Sequence, residues 1–553
     1  MKQRISFFII LFVLTAFGFA KAQNNAIEKG LSIITKETVQ SQLEFLASDW
    51  MEGRETSTRG EYMAGDYIAS MFKYIGLKPA GDMVRPVMRY TPGQQMAPVK
   101  PERGYFQTIN FTENLGSESQ FELITKDGNT EESEIFNQGS DYNVGGAAVG
   151  KEFTAPVVFI GYGLKIDELG INDFKGLNIK GKVVVYLNGF PKEFMDPKSD
   201  IYKKLNLGDR NSMWKLYRER QEALQSMGAA AVIAVPGYYN ATPENYPFRY
   251  NTPYYEGDKK PVNNMIRLSL PEDSIKSSAS SITISAKLSS ELLKGTGINP
   301  IELAKNYVPG KKSIAKELKG KLIHFRYTVK TRTVSGRNVL GMIEGENPNE
   351  VIVIGAHYDH CGMYNGYIWN GSDDNASGTV GVMTIARAII KSGVKPKKTI
   401  IFAAWTGEEK GLFGSTYFVD KFRPKENLVL NLNFDMISRK PEKDSTGFKS
   451  GMDYSLDYPI LKDLVEKANK DYNLDLTMDF RPAKQPQAGT DFSPFAAKNI
   501  PIYGFDAAFT ADYHGPFDHV EKADFGLMTR IIKAGFVSVF ELATSDKKIE
   551  PAK

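Results

Sequence analysis

The 553-residue chain reads as an α/β protein, a mixed, mainly parallel sheet sandwiched by helices, with a β-rich insertion. Three apolar runs predict it. Val351–Ala356 leads into His357-Tyr358-Asp359-His360, Thr399–Trp405 into Thr406-Gly407-Glu408-Glu409, and Leu428–Phe434 into Asp435. Unbroken β-branched and apolar runs of this length fit strands buried on both faces, the habit of parallel sheets. In open α/β sheets ligands bind beyond the carboxyl ends of the strands, where these runs give way to His, Glu and Asp. That placement reads as a metal-dependent hydrolytic site, with zinc the expected metal.

Taken in order, the chain opens with Lys2 and Arg4 before an apolar stretch from Ile5 to Ala20, then Ala20-Lys21-Ala22. This is the pattern of a secretory signal peptide cut after Ala22, and it predicts export to the periplasm or the cell exterior. Cleavage removes three basic residues and no acid, lowering the formal charge from +4 to +1. A near-neutral surface argues against nucleic acid as a partner, and no stable membrane association is expected. Cys361 is the only cysteine, so no intramolecular disulfide is possible and no lipid-anchor cysteine follows the leader.

Residues 36–80 carry two helices. Thr35 or Thr38 offers an N-cap to the first, and Gly60–Ile75 sets Met63, Tyr67, Ile68, Met71, Phe72 and Ile75 along one side before Gly76, a C-cap candidate. Residues 81–120 read as loops with one edge strand. Short strands follow at 156–163 and 181–187, then a helix over 212–227, strands near 229–235, 265–270 and 281–286, and an irregular excursion over 236–262. The stretch 140–300 has no histidine, which predicts a structural or substrate-shaping role rather than a metal-binding one. Residues 337–345 and the turn at Asn347-Pro348-Asn349 predict a hairpin into Val351. No internal repeat is present.

The five histidines include two close pairs, His357 with His360 and His514 with His519. Gly371-Ser372-Asp373-Asp374-Asn375-Ala376-Ser377-Gly378 is an acid-rich turn opening a helix. Capping explains one acid there, not two in tandem. Glu408-Glu409 poses the same problem at the end of a buried run, and a nearby cation would offset the burial of such acids.

His357-x-Asp359, Asp374–Gly378, Glu408-Glu409, Asp435 and Tyr513-His514, in this order, resemble the co-catalytic di-zinc exopeptidases, a family that includes secreted bacterial aminopeptidases and glutamate carboxypeptidase II. The resemblance covers 337–520, and 140–300 is similar to the protease-associated domain inserted in such enzymes. After the signal peptide at 1–22, it implies peptidase-domain parts at 23–139 and 301–553, and the insertion at 140–300. It also implies two Zn2+ per chain, His357 and Asp435 on one, Glu409 and His514 on the other, with Asp374 bridging. Asp359 would orient His357, and Glu408 would be the general base that deprotonates the attacking water. Cobalt or manganese suits the same ligands.

The implied activity is aminopeptidase action on peptides with a free N-terminus. Rival readings are a carboxypeptidase, for which Arg439 and Arg481 are the candidate carboxylate holders, a glutaminyl cyclase on the same fold, and a non-catalytic receptor-like binding protein. Asp518 matches a supporting acid of the family, although Pro516-Phe517 departs from its pattern. His360 and His519 are expected to support rather than ligate, and Cys361 to be a small buried side chain. Thr490–Phe495 is expected to line the site without a catalytic role.

Overall fold

The computed structural model describes residues 24–85, 100–146, 151–235, 265–271, 280–308, 315–422, 428–441, 447–486 and 489–552. The expected signal peptide and the irregular excursion from 236 lie outside or almost wholly outside them. Two compact units are present, one formed by Met1–Phe111, Gly257–Ile266 and Val334–Lys553, the other by Thr112–Glu256 and Arg267–Thr333. Among the described residues no helix is long and apolar enough to cross a membrane.

After a helical stretch over 24–31, the first unit carries α1 (Lys36–Leu46), capped by Thr35 accepting from the Thr38 amide, and α2 (Arg59–Ile75), ended by Gly76 at φ 96°. Between them Glu52, Gly53 and Arg54 all take positive φ, turning the chain sharply.

In the second unit, β1 (Tyr142–Gly146), β2 (Lys151–Phe159), β3 (Val183–Leu187), β4 (Ala231–Val235) and β5 (Ser280–Ile284) join a segment of β6 (Lys316–Ile343). Their order is β6-β2-β3-β4-β5-β1, parallel from β2 to β5 and antiparallel at both edges. The unit is thus wider than 140–300, and it carries a helix, Arg210–Ser226, where one is expected. Residues 316–327 pair with β2, and Phe121–Asp127 pair with Thr130–Phe136, which draws both flanks into one core.

Back in the first unit, the rest of β6 joins β7 (Asn347–His357), β8 (Lys398–Trp405), β9 (Leu428–Phe434), β10 (Phe448–Ser455), β11 (Leu476–Ala483) and β12 (Ile502–Asp506). The order is β11-β10-β12-β9-β7-β8-β6. Strands β8, β7, β9 and β12 run parallel, while β6 and β10 run antiparallel to their neighbours in that group. The fold class is therefore as expected, but the hairpin into Val351 is not: β8 lies between β6 and β7. Every residue of β8 is buried, and such a strand needs a partner on each edge.

Alternation along β7 explains the unbroken apolar run. Ile352, Ile354 and Ala356 pack with α1, α2, α5 (Gly378–Ser392) and α8 (Phe525–Thr544), whereas Val351 and Val353 pack with α6 (Phe413–Lys421) and Phe492–Ile502. Helix α7 (Ile460–Asp471) continues the first layer. Both faces are covered from Val351 to Ala356, and that stretch is apolar throughout.

Candidate metal centre

Strand register builds the centre. His357 pairs with Trp405 across β7 and β8, and Gly355 with Asn433 across β7 and β9. His357, Glu408 and Asp435 therefore leave three adjacent parallel strands at one end. Asp374 comes from the turn before α5, where its peptide bond to Asn375 is cis, and His514 from the loop after β12, at φ 49°.

The five predicted ligands converge. His357 Nε2 lies 3.4 Å from Asp374 Oδ1 and 3.4 Å from Asp435 Oδ1. His514 Nε2 lies 3.2 Å from Asp374 Oδ2 and 3.0 Å from Glu409 Oε2. Asp374 thus turns one oxygen to each imidazole. Tetrahedral zinc with bonds of about 2.05 Å separates its ligands by about 3.3 Å, so these spacings suit zinc ligands. Glu408 Oε2 stands farther off, 3.9 Å from His357 Nε2.

Two of the predicted supporting residues act in ways that residue type alone does not show. The Nδ1 of His357 meets the backbone carbonyl of Asp359 at 3.1 Å, while the Asp359 carboxylate is 3.9 Å away. That carboxylate accepts from the Thr56 hydroxyl at 2.7 Å and from the Glu408 amide at 3.2 Å, tying the ends of β7 and β8 together. Asp518 accepts from the Asp373 and Asp374 amides and holds the Asp374 turn. His360 meets Glu409 Oε1 at 2.7 Å through Nδ1. Cys361 is buried, its thiol 4.0 Å from the same oxygen, and burial raises its pKa well above the usual range. His519 belongs to none of the candidate metal groups among the described residues.

The acids outnumber the bases. Burial raises Glu408 well above the usual carboxylate range, and Glu409, Asp491 and Asp435 raise it further against the opposing His357. Burial also opposes ionisation of Glu409, but His360 and His514 hold it well below that range. Burial disfavours the charged form of His514, yet Asp374 and Glu409 bring it up to about 10. A buried concentration of negative charge of this kind is what a divalent cation neutralises.

The sequence profile of Peptidase family M28 matches residues 338–536. Over that segment the chain is similar to peptidase family M28. Leucine aminopeptidase 2 of Trichophyton equinum is 31% identical over 239 residues, 38% of this chain and 45% of that protein. Leupeptin-inactivating enzyme 1 of Streptomyces exfoliatus is 31% identical over 211 residues, 37% of this chain and 44% of its own. The chain thus spans less than half the length of these curated relatives. The solved aminopeptidase of Aneurinibacillus sp. strain AM-1 has a similar fold, with TM-score 0.54 and 17% identity over 95% of this chain and 98% of its own.

Support for the M28-like segment also comes from residues outside it that carry no local signature. Arg54 is fully buried, and its guanidinium donates to the carbonyls of Leu46, Tyr358, Asn370 and Gly371 at 2.6–2.8 Å. It pins both loops that present His357 and Asp374, although its partners at 358, 370 and 371 are more than 300 residues away. Burial lowers it to about 10. Within the segment, Thr490 donates to Asp435 Oδ2 at 2.5 Å and accepts from Asn433 at 3.0 Å, which gives the Thr490–Phe495 stretch a direct contact with a candidate ligand.

Proposed function

We propose that this chain is a zinc-dependent aminopeptidase that hydrolyses the N-terminal peptide bond of unblocked peptides, exported through its N-terminal leader to the periplasm or beyond. The observation that carries the reading is the pair of three-residue groups sharing Asp374. Their donor atoms are spaced as two zinc ions require, and Glu408 stands beside them. His357 and Asp435 would hold one ion, Glu409 and His514 the other, and Asp374 both. Zinc at these ligands supplies Lewis acidity toward the scissile carbonyl and lowers the pKa of water.

The chain's own groups do the rest. Glu408 takes the proton of the attacking water and delivers it to the leaving amine. The carbonyl of Asp359 keeps the His357 Nδ1–H engaged, so that Nε2 faces the metal. The Asp359 carboxylate holds the Glu408 backbone, which fixes the base relative to the ligands. Residues 140–300, the proposed protease-associated insertion, supply none of the five ligands.

The rival readings lack support of this kind. Arg439 is engaged by Asp512 at 2.8 Å and Asp518 at 3.6 Å, and Arg481 by Asp453 and Asp506, so neither arginine is set aside for a terminal carboxylate. The names of the curated relatives point toward aminopeptidase action as well.

Mass spectrometry of a Gln-initiated and a Lys-initiated peptide and their N-acetylated forms, incubated with zinc-loaded protein, tests the proposal. Loss of the first residue from free peptide alone, abolished by chelator, is the expected result. Loss from the carboxyl end, loss of ammonia alone, or Gln- and Lys-initiated free peptides both left unchanged would overturn it.

A further inference from the structure

The centre opens on a cavity of about 140 Å³. A space of that size accommodates one side chain. Its lining includes the ligands themselves, His357, Asp374, Asp435 and His514, with Glu408. Its walls include Met436, Phe492, Phe505 and Phe509. The lining is not wholly apolar beyond the ligands: Asp453, Arg481 and Asp506 also face the cavity.

Strand pairing assembles that triad. Arg481 on β11 lies directly across from Asp453 on β10, and β10 sets Gly451 opposite Asp506 of β12. The Arg481 Nη2 donates to Asp453 Oδ2 at 2.7 Å and also to Asp506. The bare backbone of Gly451 makes room for the second contact. A Cβ there would come within 2.5 Å of both Arg481 Nη2 and Asp506 Oδ1. Two carboxylates around one guanidinium leave one negative charge in excess, and exposed Asp479, on the same strand as Arg481, adds to it.

We infer that this cavity receives the side chain of the substrate's N-terminal residue and selects lysine or arginine, a substrate class that rests on the aminopeptidase reading above. A long aliphatic stem lies along the phenylalanine and methionine walls while its cation meets the excess carboxylate. An acidic side chain would bring a third carboxylate to one guanidinium. A leucine-like tip would cover charged groups without a hydrogen bond to offer them, a desolvation cost that discriminates against it.

Binding of free L-arginine, L-norleucine and L-glutamate to the zinc-loaded full-length protein, measured by calorimetry, reads the cavity independently of turnover. L-Arginine is expected to bind at least about tenfold tighter than L-norleucine, with L-glutamate weakest, as one partly buried charge pair allows. Asp506→Asn and, separately, Asp453→Asn leave Arg481 one carboxylate and neutralise the triad, so each should cut that advantage to about threefold or less. Norleucine binding as tightly as arginine, or an advantage that survives both substitutions, overturns the inference. Failure of the aminopeptidase reading shows separately, as intact unblocked peptides while the order of amino-acid binding is unchanged.

Discussion

Replacing Glu408 with Gln separates a general base from a metal ligand. The carboxylate can be grouped with His357 and Asp435 as a third donor, yet its Oε2 is 3.9 Å from His357 Nε2, against 3.4 Å for the Asp374 and Asp435 oxygens. Half an ångström places it outside the ligand spacing of zinc and within reach of a water beside the ion. The amide keeps the size of the side chain and leaves the backbone contact to Asp359 in place. A positioned base contributes roughly 10²–10⁴ in rate, so kcat should fall by about that factor, roughly 3–5 kcal/mol of barrier. The assay pairs kcat on an unblocked peptide with the metal-to-protein ratio after desalting. Two ions retained with kcat reduced by at least about 10² is the expected result. Turnover within about threefold of the parent would refute the base. Loss of one ion together with activity would refute the geometry by making Glu408 a ligand.

Three further outcomes follow from the same contacts. His360→Ala removes the 2.7 Å contact on Glu409 and should weaken metal binding about 10–100-fold in a competition titration, while His360→Asn, which can place a donor near the old Nδ1, should recover part of it. Chelation should abolish peptide hydrolysis, and zinc or cobalt should restore it, since the His and carboxylate donors accept either. Asp173 tests pH dependence in the second unit. Burial raises it to about 6 from 3.8, against the hydrogen bonds from the Leu164 amide and the Tyr307 hydroxyl. A raised carboxyl favours folding where it is protonated, so its contribution is fully present below about pH 4 and is lost as pH rises through 6. Asp173→Asn should therefore leave the thermal midpoint near pH 4 little changed and raise stability at pH 7 by up to roughly 3 kcal/mol, read by calorimetric melting.

Much of the centre is legible along the chain because metal chemistry restricts residue type, and parallel sheets restrict where ligands emerge. The runs before His357, Glu408 and Asp435 are buried strands for the reason the pattern suggests: packing on both faces favours apolar side chains, and the exceptions Asn431 and Asn433 are hydrogen-bonded to Val353 and Thr490. The acid-rich turn at 371–378 leads into α5 as its composition implies. The second unit was less legible. Its borders depend on residues 316–327 pairing with β2, more than 150 positions earlier, and such pairing has no local signature.

What the sequence alone determined is the kind of site: which residues can bind a divalent cation, in which order they come, and the α/β sheet that gathers them. Tertiary structure decided how they are held and what they face. Strand order placed β8 between β6 and β7, against the expected hairpin. Folding brought Arg54 onto carbonyls at 358, 370 and 371 and Thr56 onto Asp359, and turned the backbone of Asp359, not its carboxylate, toward His357. It also set Arg481 between Asp453 and Asp506, through a register in which Gly451 leaves the space. The physical reason is one of range. Ligand chemistry and strand burial are properties of a residue and its near neighbours, whereas orientation and charge balance arise only where distant segments meet.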